Sequence, residues 1–484
     1  MSAVGERVAD PSSPRPVRLA VAYVLLLVAA VVLFLAIRAW GERRAVEYAA
    51  GPPAGVVSAT GQVAAGSSAA PAHSADPLSH VLLALATIMV TGRLLGVLFQ
   101  RVGQPRVIGE VVAGILLGPS FLGRLWPEAT AFLLPPAVAP ALGLIAQLGI
   151  ILYMFLVGLE LNSDRLRSQA HATVAISHAS IVVPFVLGAA LALGLHELLA
   201  PPQVSFTSFA MFLGVAMSIT AFPVLARILT DRGLEQTELG VIALTCAAAD
   251  DVTAWCLLAG VIGVAQSEFS GVLLTAALAA GYLLLMLVVV RPGIQRWVRG
   301  VDQQGVTAGA VAWVLAAVLG SSLATQAIGV HAVFGAFLLG ALIPHDSLLA
   351  RSFRQRLEDL VTMLLLPAFF ALTGMRTQIG LVNGWTEWLI CGAIIGVATV
   401  GKFGGTLAAA RFTGLGWRTS AALGILMNTR GLMELIVLNI GLDLGVISPT
   451  LFAMMVLMAL VTTVITTPIL SWLTLPSRPA TASA

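Results

Sequence analysis

The hydrophobic and polar positions of this chain alternate on the scale of a lipid bilayer. Apolar runs of roughly 20 residues, enough for a helix to cross a hydrocarbon core about 30 Å thick, are separated by short polar stretches. The runs 107–123 and 328–344 are the shortest and are rich in glycine. The pattern predicts fourteen membrane-spanning helices, at about 16–38, 78–99, 107–123, 138–160, 170–196, 206–229, 237–265, 270–290, 307–325, 328–344, 355–375, 388–410, 418–440 and 449–473.

The composition excludes a soluble enzyme and a disordered chain. Hydrophobic residues make up 58% of the 484 residues and charged residues 10%, against about 45–50% and 25% in soluble domains. The net charge of +3 is scattered along the chain, so we expect no nucleic-acid partner. The cysteines Cys246, Cys256 and Cys391 lie inside apolar runs, which suggests neither a disulfide framework nor a resident metal site.

The arginines predict the orientation, because basic loops stay on the cytoplasmic side. Every second loop is basic, which places both termini of a multi-pass membrane protein in the cytoplasm. Arg38, Arg43 and Arg44 oppose this rule, since they follow the first span on its predicted outer side. The basic groups are Arg101 with Arg106, Arg165 with Arg167, Arg227 with Arg232, Arg291 with Arg296 and Arg299, Arg351 with Arg354 and Arg356, and Arg411 with Arg418.

The ends of the chain predict little additional structure. The first span resembles a signal peptide, but its apolar stretch from Leu19 to Ile37 is longer than the usual signal core, which favours a retained helix. Residues 39–77 are rich in alanine, glycine, serine and proline and predict a flexible exposed loop. Residues 1–15 and 474–484 are predicted to be short cytoplasmic tails.

Four predicted spans carry polar or ionisable residues near their middle. Such residues are costly at that depth and are, by default, functional candidates. Scattered polar residues would not converge on one depth, so the pattern predicts a site built from all four spans. The set comprises Asp250 and Asp251 in span 237–265, Lys402 in 388–410, Thr220 in 206–229, and the stretch from Asn428 to Gly431 with Glu434 in 418–440.

The two aspartates are adjacent, so on a helix they point about 100° apart. We expect one carboxylate to pair with Lys402 and the other to face a water-filled cavity. The alternative is a purely structural ion pair with a spare hydrophilic residue. That alternative is hard to sustain, because a second carboxylate would then lie unpaired in packed or lipid-facing surroundings.

Pro223 and Gly431 predict breaks in two of these spans. Proline removes a backbone donor and clashes with the preceding turn, and Gly431 gives the other span a comparable weak point. The two spans run in opposite directions by the predicted orientation, as inverted repeats with broken helices require. Arg430 and Glu434 are spaced to pair along one helix; this favours a structural role for Arg430 and leaves Glu434 open between structure and ion binding.

Six stretches together resemble the monovalent cation:proton antiporter superfamily, in the branch of bacterial Kef-type and plant cation/H⁺ exchangers. The resemblance covers residues 78–473, and the combination is specific although each stretch alone is weak. Span 16–38 lies outside it. The stretches are GEVVAGILLGP at 109–119, FLVGLE at 155–160, SITAFPVLAR at 218–227, ADD at 249–251, LPAFFALTG at 366–374 and MNTRGLMELI at 427–436.

The resemblance implies an all-α membrane protein with the Na⁺/H⁺ antiporter fold, in which two inverted-topology repeats carry two broken crossing helices. An ion-carrying core would comprise about 170–265 and 388–473. A dimerisation part, about 78–160 and 307–375, would form a homodimer, and 270–290 would link the two. The core would move against the dimer scaffold as an elevator.

The resemblance also implies roles for individual residues. Asp251 matches the carboxylate that binds the transported Na⁺ or K⁺ transiently and alternates it with a proton. Asp250 matches the neighbour that pairs with the core lysine, Lys402 matches that lysine and is a second candidate proton carrier, and Thr220 matches the broken-helix position near the ion. Many members have Asn-Asp where this chain has Asp250-Asp251, and in the wider superfamily paired aspartates accompany electrogenic exchange.

The implied function is secondary active antiport of Na⁺ or K⁺ against protons, without a cofactor. Two alternatives share the fold. A sodium-coupled symporter of organic anions would need an anion-binding group, for which Arg430 is the mid-depth candidate. A Kef-like K⁺ efflux protein would be expected to carry a C-terminal nucleotide-binding domain, which we do not find. An enzyme is not expected, since no Ser/His or metal-ligand constellation lies at membrane depth.

Overall fold

The computed structural model describes residues 16–50, 77–160, 170–235, 237–266 and 269–474, and this part of the chain is helical without strands. The helices are α1 (Pro16–Ala50), α2 (Pro77–Arg101), α3 (Arg106–Leu117), α4 (Leu122–Leu125), α5 (Pro127–Leu133), α6 (Ala139–Glu160), α7 (Ala170–Leu199), α8 (Phe206–Ser218), α9 (Phe222–Asp231), α10 (Glu238–Gln266), α11 (Phe269–Leu285), α12 (Arg291–Gln304), α13 (Ala308–Ile328), α14 (Ala332–Leu342), α15 (Leu348–Leu360), α16 (Leu366–Arg376), α17 (Trp385–Phe412), α18 (Trp417–Met427), α19 (Leu432–Asp443) and α20 (Pro449–Thr474).

Each of the fourteen predicted spans coincides with a helix or a pair of helices. Among the described residues, twelve helical segments are long and apolar enough to cross a membrane. The helices α18 and α19 form one further span that is bent by 41° at its break. The run 328–344 is the shorter apolar helix α14. Hydropathy therefore located the helices, and an all-α membrane protein is confirmed, but α14, with 11 residues, is shorter than a full span.

The first helix is longer than predicted. It continues from residue 38 to Ala50, so the predicted loop at 39–77 was wrong over residues 39–50. Arginine, glutamate and alanine dominate this stretch and are good helix formers, and Arg38 and Glu42 pair across one turn with 3.0 Å between Nε and Oε1. The remainder of that loop, 51–76, and the predicted tails at 1–15 and 475–484 lie outside the described residues.

Two other spans also extend past their predicted boundaries, because arginine ends an apolar run without ending a helix. Span 270–290 passes through a π-helical turn at Met286–Val290 into α12. Span 355–375 begins inside α15, which starts at Leu348 and joins α16 through a second π-helical turn at Val361–Leu365. The arginines assigned to cytoplasmic loops at 291–299 and 351–356 therefore lie on helices.

The helices pack in two groups. In the first group, α3 packs against α2 and α16, α16 also packs against α2 and α6, and α14 lies against α6. Gly158 and Gly340 make this last contact possible, since a Cβ on Gly158 would lie 2.3 Å from the carbonyl oxygen of Phe337. In the second group, α7, α8, α10, α17, α18 and α20 pack together. Assigning the first group to dimerisation and the second to ion carriage stays a prediction.

The additional helix α1 lies against the second group, on α7 and α8. Phe34 packs on Phe185 with 5.5 Å between ring centroids. Near the other end of the contact, the Thr207 hydroxyl donates to Glu42 Oε1 at 2.6 Å. These contacts attach α1 to the helices that carry the polar mid-membrane residues.

The second group contains two repeats of the same plan. Each has a long helix, a broken helix and another long helix: α7, α8 with α9, and α10 in one, and α17, α18 with α19, and α20 in the other. The two breaks meet. Ala221 N–H donates to the Thr429 carbonyl at 3.0 Å, and the Thr220 hydroxyl oxygen lies 3.3 Å from the Met427 carbonyl oxygen.

Candidate ion-binding site

The first broken helix is interrupted over residues 219–221. Helix α8 ends at Ser218, and Pro223 lies in the first turn of α9. A proline is favourable at a helix start, where its missing N–H has no partner to lose. Pro223 therefore begins the second half-helix, and the extended residues precede it.

The second broken helix is interrupted over residues 428–431, and Gly431 ends the interruption. Gly431 lies where there is little room for a side chain. A Cβ at this position would lie 2.6 Å from Val224 Cγ2 and 3.2 Å from Ala221 Cβ. Any side chain here would push the second break away from the first half-span, so the crossing of the two broken helices requires glycine.

The crossing places two cations at the C-terminal end of α8. The last carbonyls of a helix have no partner within it and carry the negative end of the helix dipole. Arg430 donates through Nη1 to the Ala216 carbonyl at 2.9 Å and through Nη2 to the Met217 carbonyl. Lys402 Nζ donates to the Ser218 carbonyl at 2.5 Å. In this structure the protein's own cations therefore occupy the carbonyls at this end of α8.

Asp250 is surrounded by donors. Lys402 Nζ lies 3.0 Å from Oδ2, and both side chains are fully buried. The hydroxyls of Thr220 and Ser180 donate to the same oxygen at 2.8 and 2.7 Å, and Ser177 donates to Oδ1 at 2.6 Å. A buried ion pair is favourable only when hydrogen bonds also satisfy its remaining polar atoms, and this pair meets that condition.

Asp251 has none of these partners. It is 2% exposed, and neither carboxylate oxygen has a hydrogen-bond partner in the described part of the chain. Asp250 and Lys402 are the charges nearest to it, and Tyr153 on α6 lies within range of its charge. Tyr153 belongs to the first group of helices, so Asp251 lies within electrostatic range of that group. A buried charged group without partners is unfavourable unless an ion or a proton neutralises it.

Arg430 and Glu434 form a second buried pair, with 2.9 Å between Nη1 and Oε2 and no exposed surface on either side chain. The Thr463 hydroxyl on α20 receives the Arg430 N–H at 3.0 Å and donates to the Arg430 carbonyl at 2.8 Å. Arg430 thus connects α18, α19, α8 and α20. Its Nη1 and Nη2 donors are engaged in the protein, whereas Nε has no partner among the described residues; the pairing agrees with the structural role that its spacing from Glu434 favoured.

Ser177 and Ser180 were missed from the sequence. The available signal was their spacing of three residues in an apolar span, which places both hydroxyls on one face of α7. Serines are common at helix contacts in membranes, so that spacing alone does not identify a carboxylate partner on a helix about 70 residues further along.

We expect Ser177→Ala to lower the stability of the folded protein by about 1.5–3 kcal/mol, since Asp250 Oδ1 then loses a hydrogen bond to a charged group. The measurement is thermal unfolding of the detergent-solubilised protein. Ser322→Ala is the matched control, because the Ser322 hydroxyl is also buried but has no hydrogen-bond partner among the described residues. Equal stability of the two variants would contradict the role of Ser177.

Comparison with known proteins identifies relatives of this chain. The family model for the transmembrane part of sodium/hydrogen exchangers matches residues 85–475. The Na⁺/H⁺ antiporter NhaS4 of Synechocystis is 44% identical over 395 residues, which is 80% of this chain and 96% of NhaS4. The cation/H⁺ antiporter 20 of Arabidopsis thaliana is 40% identical over 84% of this chain and 50% of its own length. The K⁺/H⁺ antiporter 1 of Saccharomyces cerevisiae is 34% identical over 82% of this chain and 46% of its own length.

The chain thus spans nearly all of NhaS4 and about half the length of the plant and yeast relatives. The solved structure of the sodium proton antiporter MjNhaP1 from Methanocaldococcus jannaschii matches with a TM-score of 0.60 at 13% identity, over 82% of this chain and 96% of that one. At that identity the match shows the fold. The resemblance inferred from the six stretches is confirmed, and this chain belongs to the sodium/hydrogen exchanger family.

Proposed function

We propose that this protein exchanges a monovalent cation, Na⁺ or K⁺, for protons, and that Asp251 is the site that both ions share. One observation carries the proposal: Asp251 is a buried carboxylate without a hydrogen-bond partner in the described residues, beside an aspartate whose oxygens are all engaged. The names of the relatives support a cation and a proton as the exchanged pair.

Competition for one carboxylate is sufficient to couple the two fluxes. Protonated Asp251 is neutral and offers no charge to a metal ion. Deprotonated Asp251 supplies a charged oxygen ligand, and oxygen ligands are what hard cations prefer. Asp250 does not compete, because Lys402 neutralises it and three hydroxyls complete its hydrogen bonds. Thr220 then acts on the site through Asp250.

Alternating access by an elevator movement is part of this proposal. The helices with the polar residues form one packed group, and Asp251 lies within electrostatic range of Tyr153 in the other. We propose that the first group forms a homodimer scaffold in the bacterial inner membrane, with both termini cytoplasmic. One relative is named for Na⁺ and another for K⁺, so the proposal includes both cations.

The symporter alternative is not favoured, because Arg430, its candidate anion-binding group, is engaged with Glu434 and with two carbonyls of α8. A Kef-like K⁺ efflux protein is not favoured either, because the similar proteins reported above are named as antiporters.

The test is proton-coupled exchange in everted vesicles from bacteria that lack their own antiporters. Respiration acidifies the vesicles and quenches a pH-sensitive dye, and addition of Na⁺, K⁺ or Li⁺ should restore the fluorescence. Replacing chloride with gluconate should have no effect, since no anion is carried. Absence of recovery with all three cations, in vesicles that contain the folded protein and form the pH gradient, would contradict the proposal.

A further inference from the structure

Helix α10 carries a second buried polar group one turn beyond Asp251. Trp255 is 2% exposed, and its indole Nε1–H has no hydrogen-bond partner in the described part of the chain. Residues four apart on a helix lie side by side, with about 5–6 Å between Cβ atoms. An unpartnered donor and an unpartnered carboxylate are therefore neighbours on one helix face.

This coincidence points to a function. A buried indole N–H usually has a hydrogen-bond partner, as does a buried carboxylate. The two groups are chemically complementary, because the indole N–H only donates and the ionised carboxylate only accepts. Each is therefore the kind of partner that the other lacks.

We infer that Trp255 is a positioning residue for the ion site, whose N–H donates to the Asp251 carboxylate after the proton has left and before the cation binds. The inference depends on the proposed function, in which Asp251 passes through this bare state. A donor cannot face a bound cation, so cation binding must displace the N–H. Protonation removes the charge that makes the hydrogen bond strong.

The other groups near Asp251 do not provide this donor in the structure. Lys402 is paired with Asp250 and with the Ser218 carbonyl. Asp250 is an acceptor of the same charge. Tyr153 lies within range of the charge of Asp251, but its hydroxyl makes no hydrogen bond to it. On α10 itself, the Thr253 hydroxyl donates to the Ala249 carbonyl at 2.9 Å, so the nearest unengaged side-chain donor among the described residues of this helix is Trp255.

Loss of the Trp255 N–H is expected to change cation binding in a way that depends on pH. A hydrogen bond to the bare carboxylate stabilises it relative to both loaded forms, so its removal strengthens proton binding and cation binding by the same factor. For a factor of about ten, equivalent to about 1.4 kcal/mol, the half-saturating cation concentration falls about tenfold at alkaline pH. At acidic pH the cation must displace a proton and the two factors cancel, so that concentration is unchanged. The pH profile of exchange moves by about one unit in the alkaline direction.

The experiment measures the half-saturating concentration of Na⁺ and K⁺ between about pH 6 and 9.5 for Trp255→Phe in proteoliposomes. Trp313→Phe is the matched control, since this indole on α13 is 74% exposed on the outer surface. We expect the alkaline-only decrease for Trp255→Phe and wild-type values for Trp313→Phe. An unchanged concentration, or a change of equal size at every pH, would overturn the inference.

A second measurement covers the case in which Trp255→Phe does not fold. Position 255 is then filled by 3-benzothienylalanine, which keeps the ring shape and replaces the N–H by sulfur, and the same series is measured with the same expected result. Asp251→Asn separates the two proposals. If it exchanges normally, the proposed function fails; if it is inactive while both position-255 variants match Trp313→Phe, only the inference about Trp255 fails.

Discussion

Asp251→Asn is expected to reduce proton-coupled cation exchange to the background of empty vesicles while the protein remains folded. The amide has nearly the shape of the carboxylate but never carries its charge, so it can neither alternate a proton with a cation nor bind the cation strongly. The folded protein should tolerate the change, because Asp251 has no hydrogen-bond partner among the described residues to lose. The measurements are fluorescence recovery in everted vesicles and thermal unfolding in detergent.

Asp250→Asn is the matched control, since it makes the same isosteric change one residue earlier. This variant should lose stability, because Lys402 then keeps a buried charge without its counter-ion. The two adjacent substitutions should therefore differ in effect. Asp251→Asn should lose transport but keep its stability, whereas Asp250→Asn should also lose stability. Normal exchange by a well-folded Asp251→Asn would place the shared ion site elsewhere.

Much of the fold could be predicted from the sequence because lipid imposes a simple rule. Every span must be apolar and helical to satisfy its backbone, so hydropathy alone locates the spans. The breaks were also predictable, since Pro223 and Gly431 are incompatible with, or weak in, a continuous helix. The pairing of Arg430 with Glu434 followed from a spacing of four residues.

The partners across the site were not predictable from the residues alone. Adjacent aspartates differ only by about 100° of helix rotation, and which of them meets Lys402 depends on packing against α17. The division between Asp250 and Asp251 therefore came from the family resemblance. Arg430 reaches carbonyls that lie more than 210 residues earlier in the chain, and no local pattern encodes such a contact.

The single lysine among 26 basic residues has a geometric explanation. The four-carbon stem of Lys402 brings one compact ammonium to both Asp250 Oδ2 and the Ser218 carbonyl inside a fully buried space. A planar guanidinium presents its donors in a fixed fork and needs more room. An ammonium can also lose its proton when it is buried, which a guanidinium does not readily do.

Lys402→Met is expected to destabilise the folded protein by about 3–5 kcal/mol, because removing one member of a buried pair leaves the other charge uncompensated. The double variant Asp250→Asn with Lys402→Met removes both charges and should recover most of that loss. Arg227→Met is the control, because it also removes an ion pair, but an exposed one. Both Arg227 and its partner Asp231 are exposed, and such pairs contribute at most about 1 kcal/mol. Thermal unfolding of the four proteins, wild type included, measures these differences.

The double variant also tests whether Lys402 moves charge. Asp251 alone exchanges one cation for one proton, which carries no net charge, so a current requires a second proton carrier. We expect wild type to produce a transient current on a solid-supported membrane, and the double variant to exchange cations for protons in vesicles without that current. A full current from the double variant would show that Lys402 does not move charge. Its role would then be the one that its contacts show, which is to neutralise Asp250 and to cap the C-terminal end of α8.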